Sequence, residues 1–580
     1  MSAPVSATEN TRANQLVFAL VLLVFCFLLG TRSLNEPDEG RYGEIAREMV
    51  ESGDWLAPHI WHVPHLDKPP MAYWLVALSI QMLGVNEWAV RLPLALAGLS
   101  GVWAAFLLAR QVAGERAARW ATLILSSSLL YFAMARMLTT DIFLAQFVAW
   151  AGYFFWRSWE SLDHWKDVAA RPGLRRQFLC WQMAMWAALA GGFLTKGPVA
   201  LAIPLAAVAA LTIFRWNECY RWKLQILGAV LGVPLFCLLA FPWFLLVFKS
   251  VPGSFDFMVR DRFAGHALGT TVKNRGGPLL YFVPILLVGF LPWTPLLGWL
   301  WRRAHWRALN ERQKAGWLFL TVWVTFTFLL FSLNRSKLPA YILPLFPPLA
   351  VLVAWRWFGE VGSTTKSAPA GVWRAVLLAP FVMWLAIVLA FRFAFKITDQ
   401  GWLLVSAAIA VALLIIFFKL SSNWSLPRRQ QWSAGLAVAA LFAIIAGVPA
   451  IETRLRSNQT LKPLGTRLRA EWRPGDAIVA WGQLPQGLPL AAHPLINATN
   501  RPYLGGIPFN RLPYEFPGNR ERLGNRVLPD EAAFARLLNG DRRVLVVGFQ
   551  GTFEWIKPGV TNAELKLLER VGRWELFVNR

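Results

Sequence analysis

Apolar residues along this chain come in long uninterrupted runs separated by short polar loops. That is not the alternating or one-faced pattern of a soluble domain. Runs near 14–30, 88–109, 118–135, 141–157, 177–194, 197–213, 224–247, 277–301, 314–333, 339–355, 372–392, 402–418 and 432–450 approach the length of a bilayer-crossing helix. The pattern predicts an all-α polytopic membrane protein with about 13 transmembrane helices. Two connecting segments are long, 31–86 and 249–276. The first holds Asp38 to Val50, amphipathic at helical period, and a short apolar stretch from Pro70 to Leu83 that reads as an interfacial helix. Beyond residue 450 the chain turns polar and Pro-rich, with strand-like runs such as Ala477–Trp481 and Arg543–Gly548. Two domains are expected: 1–454 in the membrane, and a soluble α/β domain over 455–580.

Charge fixes the orientation. The net charge is +25, yet only 16% of residues are charged and 56% are hydrophobic. A soluble chain would carry about a quarter charged residues, so a soluble enzyme or nucleic-acid-binding domain is excluded. Basic residues gather in alternate loops: Arg110 to Arg119, Arg157 to Arg176, Arg215 to Lys223, Arg302 to Lys314, Arg356 to Arg374 and Lys419 to Arg429. These belong on the cytoplasmic side. The N-terminus is then cytoplasmic, its first helix is retained rather than cleaved, and an odd number of spans puts the C-terminal domain outside. Cys26, Cys180, Cys219 and Cys237 lack metal or disulfide spacing.

The candidate chemistry lies on the outer side. Directly after the first run comes Asn35-Glu36-Pro37-Asp38-Glu39-Gly40-Arg41-Tyr42-Gly43-Glu44. Asp38 could serve only as a helix N-cap, but so many carboxylates beside Arg41 and Tyr42 exceed what a cap requires. Leu66-Asp67-Lys68-Pro69-Pro70 sets a lysine in a turn at the surface, and Asp141 ends Arg-Met-Leu-Thr-Thr-Asp at a helix junction where it could also cap. Lys196 lies in an external turn, and the basic loop with Arg260, Arg262, His266, Lys273 and Arg275 violates the charge bias, which points to anion binding. Arg262 and His266 share a face if that loop is α-helical. His266 with Asp67 is a candidate divalent-metal pair, though no ligand spacing requires a cofactor. Lys337 and Tyr341 lie in Lys-Leu-Pro-Ala-Tyr at another external helix end.

These motifs, PDEGRYGEIAREMVESGDWLAPH and LDKPPMAYW above all, resemble the aminoarabinose transferase branch of the GT-C glycosyltransferases, near the protein O-mannosyltransferases. The resemblance implies transfer of 4-amino-4-deoxy-L-arabinose from undecaprenyl phosphate to a lipid A phosphate, a modification that confers resistance to cationic peptides. It implies donor-phosphate binding by Lys68, Lys337 and Tyr341, to which the basic loop adds Arg262, and catalysis by Asp38 and Asp141. Glu39, Arg41, Tyr42, Asp67, Lys196 and His266 are supporting candidates. It places the enzyme in a Gram-negative inner membrane, with the site and C-terminal domain periplasmic, among membrane lipids, as a monomer without nucleic acid. Two other classes remain: a related enzyme acting on a protein Ser/Thr hydroxyl, and a lipid transporter or flippase. A transporter predicts charges along a midplane pathway and often internal repeats, whereas the candidate charges here crowd one membrane face and no repeat is evident.

Overall fold

Most of the described apolar runs close their own backbone hydrogen bonds as helices, the only open-ended structure stable in lipid. The computed structural model describes residues 7–162, 172–214, 219–265, 276–300, 303–359, 370–394, parts of 408–441, 460–497, 500–507, 516–551 and 565–580. The chain opens with α1 (Ala7–Cys26), α2 (Asp38–Ser52), α3 (Met71–Leu83), α4 (Glu87–Ala113), α5 (Glu115–Ser127), α6 (Leu129–Met134) and α7 (Asp141–Ser161). Helices Pro172–Lys196, Val199–Phe214, Cys219–Ser250, Glu311–Leu333, Phe346–Phe358 and Ala370–Ala394 continue the bundle. Among the described residues, five helical segments are long and apolar enough to cross a membrane: Glu87–Ala113, Gly173–Lys196, Lys223–Ser250, Glu311–Leu333 and Pro339–Phe358. Shorter apolar helices accompany them, α3 included. The expected span near 402–418 lies mostly outside the described residues, and that near 432–450 is described only to 441.

Three expected runs are broken. The run at 118–135 divides at Ser128, whose hydroxyl bonds back to the Ile124 carbonyl. The run at 277–301 is not one helix: it divides into 3₁₀ turns and the helix Phe282–Gly289, with a cis bond at Leu291-Pro292. Proline removes the donor that an uninterrupted helix needs there. The segment before Phe346 is likewise a 3₁₀ turn, Pro339–Leu345, with prolines at both ends of its motif.

The first long loop folds back over the bundle. α2 and α3 flank a two-residue hairpin in which β1 (His59–Ile60) pairs antiparallel with β2 (Val63–Pro64). α3 leaves Leu78, Met82 and Leu83 exposed, as an interfacial helix would toward lipid. α2 departs from the amphipathic expectation: Glu39, Tyr42, Gly43, Glu44, Ile45, Arg47, Glu48 and Met49, on several sides of it, are all buried. The C-terminal domain packs against it, with Leu490 over Gly43. Gly40 faces Gly487 there, with the Glu36 carboxylate between, so closely that a Cβ on either glycine would collide.

The C-terminal domain is built on one sheet in the order β5-β4-β3-β6-β8-β7. β3 (Ala477–Trp481), β4 (Tyr503–Gly505), β5 (Val527–Leu528) and β6 (Val544–Phe549) run parallel, while β8 (Trp574–Val578) and β7 (Lys566–Val571) complete it antiparallel. Side chains alternate between faces. Ala477, Val479 and Trp481 join Phe534 and Leu538 on one side, while Ile478 and Ala480 join the core continuous with the bundle.

Candidate functional site

The site begins where α1 ends. Pro37, not Asp38, is the N-cap of α2, and it makes no side-chain cap bond. The capping reading of Asp38 is therefore wrong. Its carboxylate is 55% exposed and pairs with Arg41 one turn on. Asp141 likewise opens α7 as its first residue, with Thr140 as an N-cap that makes no side-chain bond.

Glu39 is the hub beneath Asp38. It is buried and receives Arg91 Nε at 2.9 Å and Nη2 at 3.0 Å, Arg32 Nη2 at 2.8 Å, and the backbone N–H groups of Asn35 (3.0 Å) and Leu138 (3.2 Å). Burial alone would raise this carboxyl, but Arg91 and Arg32 overcome that and hold it at about 2. Arg91 also donates to the carbonyls of Leu29, Arg32 and Ser33. One carboxylate thus ties the end of α1, the start of α2, α4 and the loop before Asp141 together.

Next to Asp38 lies a second cluster. Asp67 pairs with Lys68 at 3.3 Å and with Arg262 Nε at 3.1 Å. Burial raises the Asp67 carboxyl, yet Lys68, Arg262, His65 and Arg41 together hold it well below the usual carboxylate range. The Arg41 guanidinium lies over the Tyr42 ring at 5.0 Å, and that ring packs on Tyr73 at 5.7 Å. Burial raises the Tyr42 phenol, with Asp38, Asp67 and Asp141 adding to the rise against Arg41. Three of the four predicted carboxylates, Asp38, Asp67 and Asp141, therefore act on one phenol. The third group joins there: Lys196 forms an ion pair with Asp141 and sits over the Tyr341 ring at 4.3 Å.

Other predictions fare differently. Lys337 is buried and donates to the carbonyls of Ser332 (2.7 Å) and Asn334 (2.5 Å), closing the end of the helix Glu311–Leu333. Arg262 sits in a π-helical turn, Asp256–Ala264, so the α-helical i, i+4 argument linking it to His266 does not apply. His266 itself lies outside the described residues. Among the described residues no three His, Cys, Asp or Glu side chains group to hold a metal ion, and Asp67 is engaged by two cations.

Sequence reasoning missed His65 and Tyr73. Both are buried, and among the described residues His65 Nε2 and the Tyr73 hydroxyl have no hydrogen-bond partner. Burial keeps the His65 imidazole neutral, at about 3, against the pull of Asp67. His65 stands two residues before Asp67, just outside the quoted motifs, and Tyr73 five after Lys68, within LDKPPMAYW. A buried polar atom without a partner, beside paired charges, is a place where a ligand's hydroxyl or phosphate would bond. The turn that presents this motif is strained: Trp61 and His62 both adopt positive φ, 55° and 63°. Its contacts hold it, with His62 Nδ1 3.3 Å from Glu48 and Trp61 Nε1 3.4 Å from the Gln486 carbonyl.

Residues 67–243 match the family described as dolichyl-phosphate-mannose-protein mannosyltransferase. The chain is 32% identical over 351 residues to an undecaprenyl phosphate-alpha-4-amino-4-deoxy-L-arabinose arabinosyl transferase of Edwardsiella ictaluri, covering 60% of each chain. It is 33% identical over 355 residues to a protein of that name, numbered 2, from Proteus mirabilis, again covering 60% of each. The chain thus aligns with 60% of the length of these curated relatives. In structure it is similar to the crystal structure of ArnT from Cupriavidus metallidurans bound to undecaprenyl phosphate. The TM-score is 0.78, with 24% identity and 98% of both chains covered. The fold is that of this polytopic GT-C protein.

Proposed function

We propose that this protein is a membrane-embedded glycosyltransferase that moves 4-amino-4-deoxy-L-arabinose from undecaprenyl phosphate to a phosphate of lipid A. The observation that carries the reading is the cluster of Arg41, Lys68 and Arg262 about Asp67, beside the solvent-facing carboxylate of Asp38. Cations at one membrane face suit a lipid phosphate, and a carboxylate next to them suits the cationic side of a sugar-transfer reaction. The arabinosyl transferase names of the relatives and the lipid in the similar crystal structure support the choice of sugar and carrier.

In this reading an oxygen of the acceptor phosphate attacks the anomeric carbon while the bond from that carbon to the lipid phosphate breaks. The electron pair leaves with undecaprenyl phosphate, and no net oxidation occurs. A phosphate whose second pKa is about 6 is already a nucleophile at neutral pH, so no strong base is required. Lys68 and Arg262 neutralise the charge that grows on the leaving phosphate. Asp67 fixes the direction of both. Asp38 faces the sugar and stabilises the positive charge on the anomeric carbon, or the sugar's ammonium. Asp141, held by Lys196, completes the acidic side. The reaction inverts the anomeric centre, and the site faces the periplasm together with the domain that begins at about residue 455. The mannosyltransferase match over residues 67–243 supports a second reading, a protein hydroxyl acceptor with Asp38 as base.

The test is sugar transfer by purified protein from undecaprenyl-phosphate aminoarabinose to lipid A, with Ser/Thr peptides offered in parallel. Transfer to lipid A that collapses in Asp38→Ala and Lys68→Ala supports the proposal. Transfer only to peptide selects the second reading. A folded wild type inactive with both acceptors rejects the donor, and activity surviving both substitutions rejects the site.

A further inference from the structure

We infer that the segment Phe516–Arg522 of the C-terminal domain is a positioning element that holds the two loops carrying Asp67 and Arg262 in register. The inference rests on the reading of the Asp67–Arg262 pair as part of the donor site.

Two side chains in this short segment each seize one of the loops. Asn519 is 1% exposed, and its Nδ2 donates to the Pro64 carbonyl at 3.0 Å. Pro64 ends β2, three residues before Asp67. Phe516 is 2% exposed and meets the Phe257 ring edge-on, centroids 5.2 Å apart. The Phe257 ring in turn carries the Arg262 guanidinium at 4.7 Å, and Arg262 reaches Asp67 at 3.1 Å. The contacts close a ring: Asn519 to the Asp67 loop, Asp67 to Arg262, Arg262 to Phe257, Phe257 to Phe516.

The segment itself is stiff. Arg522 Nη1 donates to Asn519 Oδ1 at 3.1 Å and to the Pro517 carbonyl at 2.9 Å, and its guanidinium lies 5.3 Å from the centre of the Phe516 ring. Gly518 turns the chain at φ +79°, which a side chain would resist. These contacts fix the anchoring groups relative to each other. The hairpin they hold contains the positive-φ pair Trp61-His62 and would relax without support.

The experiment combines hydrogen exchange with donor kinetics on the full chain in lipid nanodiscs, comparing wild type, Asn519→Ala, Phe516→Ala, Phe516→Leu and Phe534→Ala. Phe534 lies in the separate cluster on the other face of the sheet, so it reports destabilisation of the domain alone. Faster amide exchange is expected over 59–68 in Asn519→Ala and over 256–264 in Phe516→Ala, with Phe516→Leu close to wild type. The donor KM should rise about tenfold in both alanine variants and remain near wild type in Phe534→Ala. In Arg262→Ala, adding Phe516→Ala should raise KM no further, since both act on one contact. Unchanged exchange in the two loops overturns the inference. So does a KM that moves equally in Phe534→Ala, or full multiplication of effects with Arg262→Ala. Wild type that ignores the lipid donor while the loops loosen as expected would reject the donor reading and leave the positioning role standing.

Discussion

Glu39→Ala is the perturbation whose size the structure lets one work out. It strands Arg91, which is 1% exposed, and leaves Arg32 and the Asn35 and Leu138 amides without their acceptor. A carboxyl held at about 2 instead of the ordinary 4.5 contributes about 3 kcal/mol of stability. Removing one partner of a buried ion pair costs ~3–5 kcal/mol, so the two routes agree. For a chain this long, at about 2 °C per kcal/mol or less, the melting temperature should fall by roughly 5 °C. Tryptophan fluorescence during heating in detergent, with 32 Trp residues as reporters, is the assay. The pH dependence adds a second check. The folded pKa lies below the unfolded one, so this stabilisation is full above the ordinary 4.5 and is lost as pH falls through about 2. The gap between wild type and variant should shrink to about 1.4 kcal/mol at pH 3. A drop below about 1 °C, or a gap that stays constant from pH 6 to pH 3, would refute the role of Glu39 as hub. Activity should fall with stability, because the loops bearing Asp38 and Asp141 lose their common tie.

Lys196→Met leaves the buried Asp141 carboxylate unpaired and should lower stability by about 3 kcal/mol or more; adding Asp141→Asn should restore the melting temperature without restoring transfer, and no recovery would sink the account. Glu36 is raised to about 8 by burial, against the N–H of Gly487. Its stabilisation is therefore complete below the ordinary 4.5 and lost as pH rises through about 8. Glu36→Gln keeps the acceptor without the charge, so it should melt above wild type at pH 9 and match it at pH 5; the reverse order counts against the raised carboxyl. Asp67→Asn removes the charge that aligns Lys68 and Arg262 and should weaken binding of undecaprenyl phosphate about tenfold or more, measured directly by titration in nanodiscs; unchanged affinity would separate Asp67 from the phosphate.

Much of this protein was legible before any coordinates. The membrane bundle follows from the length of the apolar runs, since an unpaired backbone cannot survive in lipid. Composition beyond residue 450 pointed to strand-like runs at Ala477–Trp481 and Arg543–Gly548, and strands lie at Ala477–Trp481 and Val544–Phe549. The motifs Pro37-Asp38-Glu39 and Asp67-Lys68-Pro69 stood out because charged residues are costly at an apolar boundary unless paired. They are paired, and they lie together.

The tertiary structure decided what sequence spacing could not rank. Glu39 and Asp38 are neighbours in sequence, yet one is a buried hub and the other an exposed carboxylate, because Arg91 and Arg32 converge on only one of them. Lys337 and Lys196 read alike as surface cations, but one closes a helix end and the other meets Asp141 and Tyr341. The helical period over Asp38 to Val50 marks α2 as amphipathic, yet Glu44, Arg47 and Glu48 are buried along with its apolar residues. Burying them depends on a domain some 400 residues further on. No local pattern can carry that information, since a charge placed for water and a charge placed for a distant partner have the same periodicity. Sequence determined where the chain meets the membrane; only the fold determined which charges meet each other.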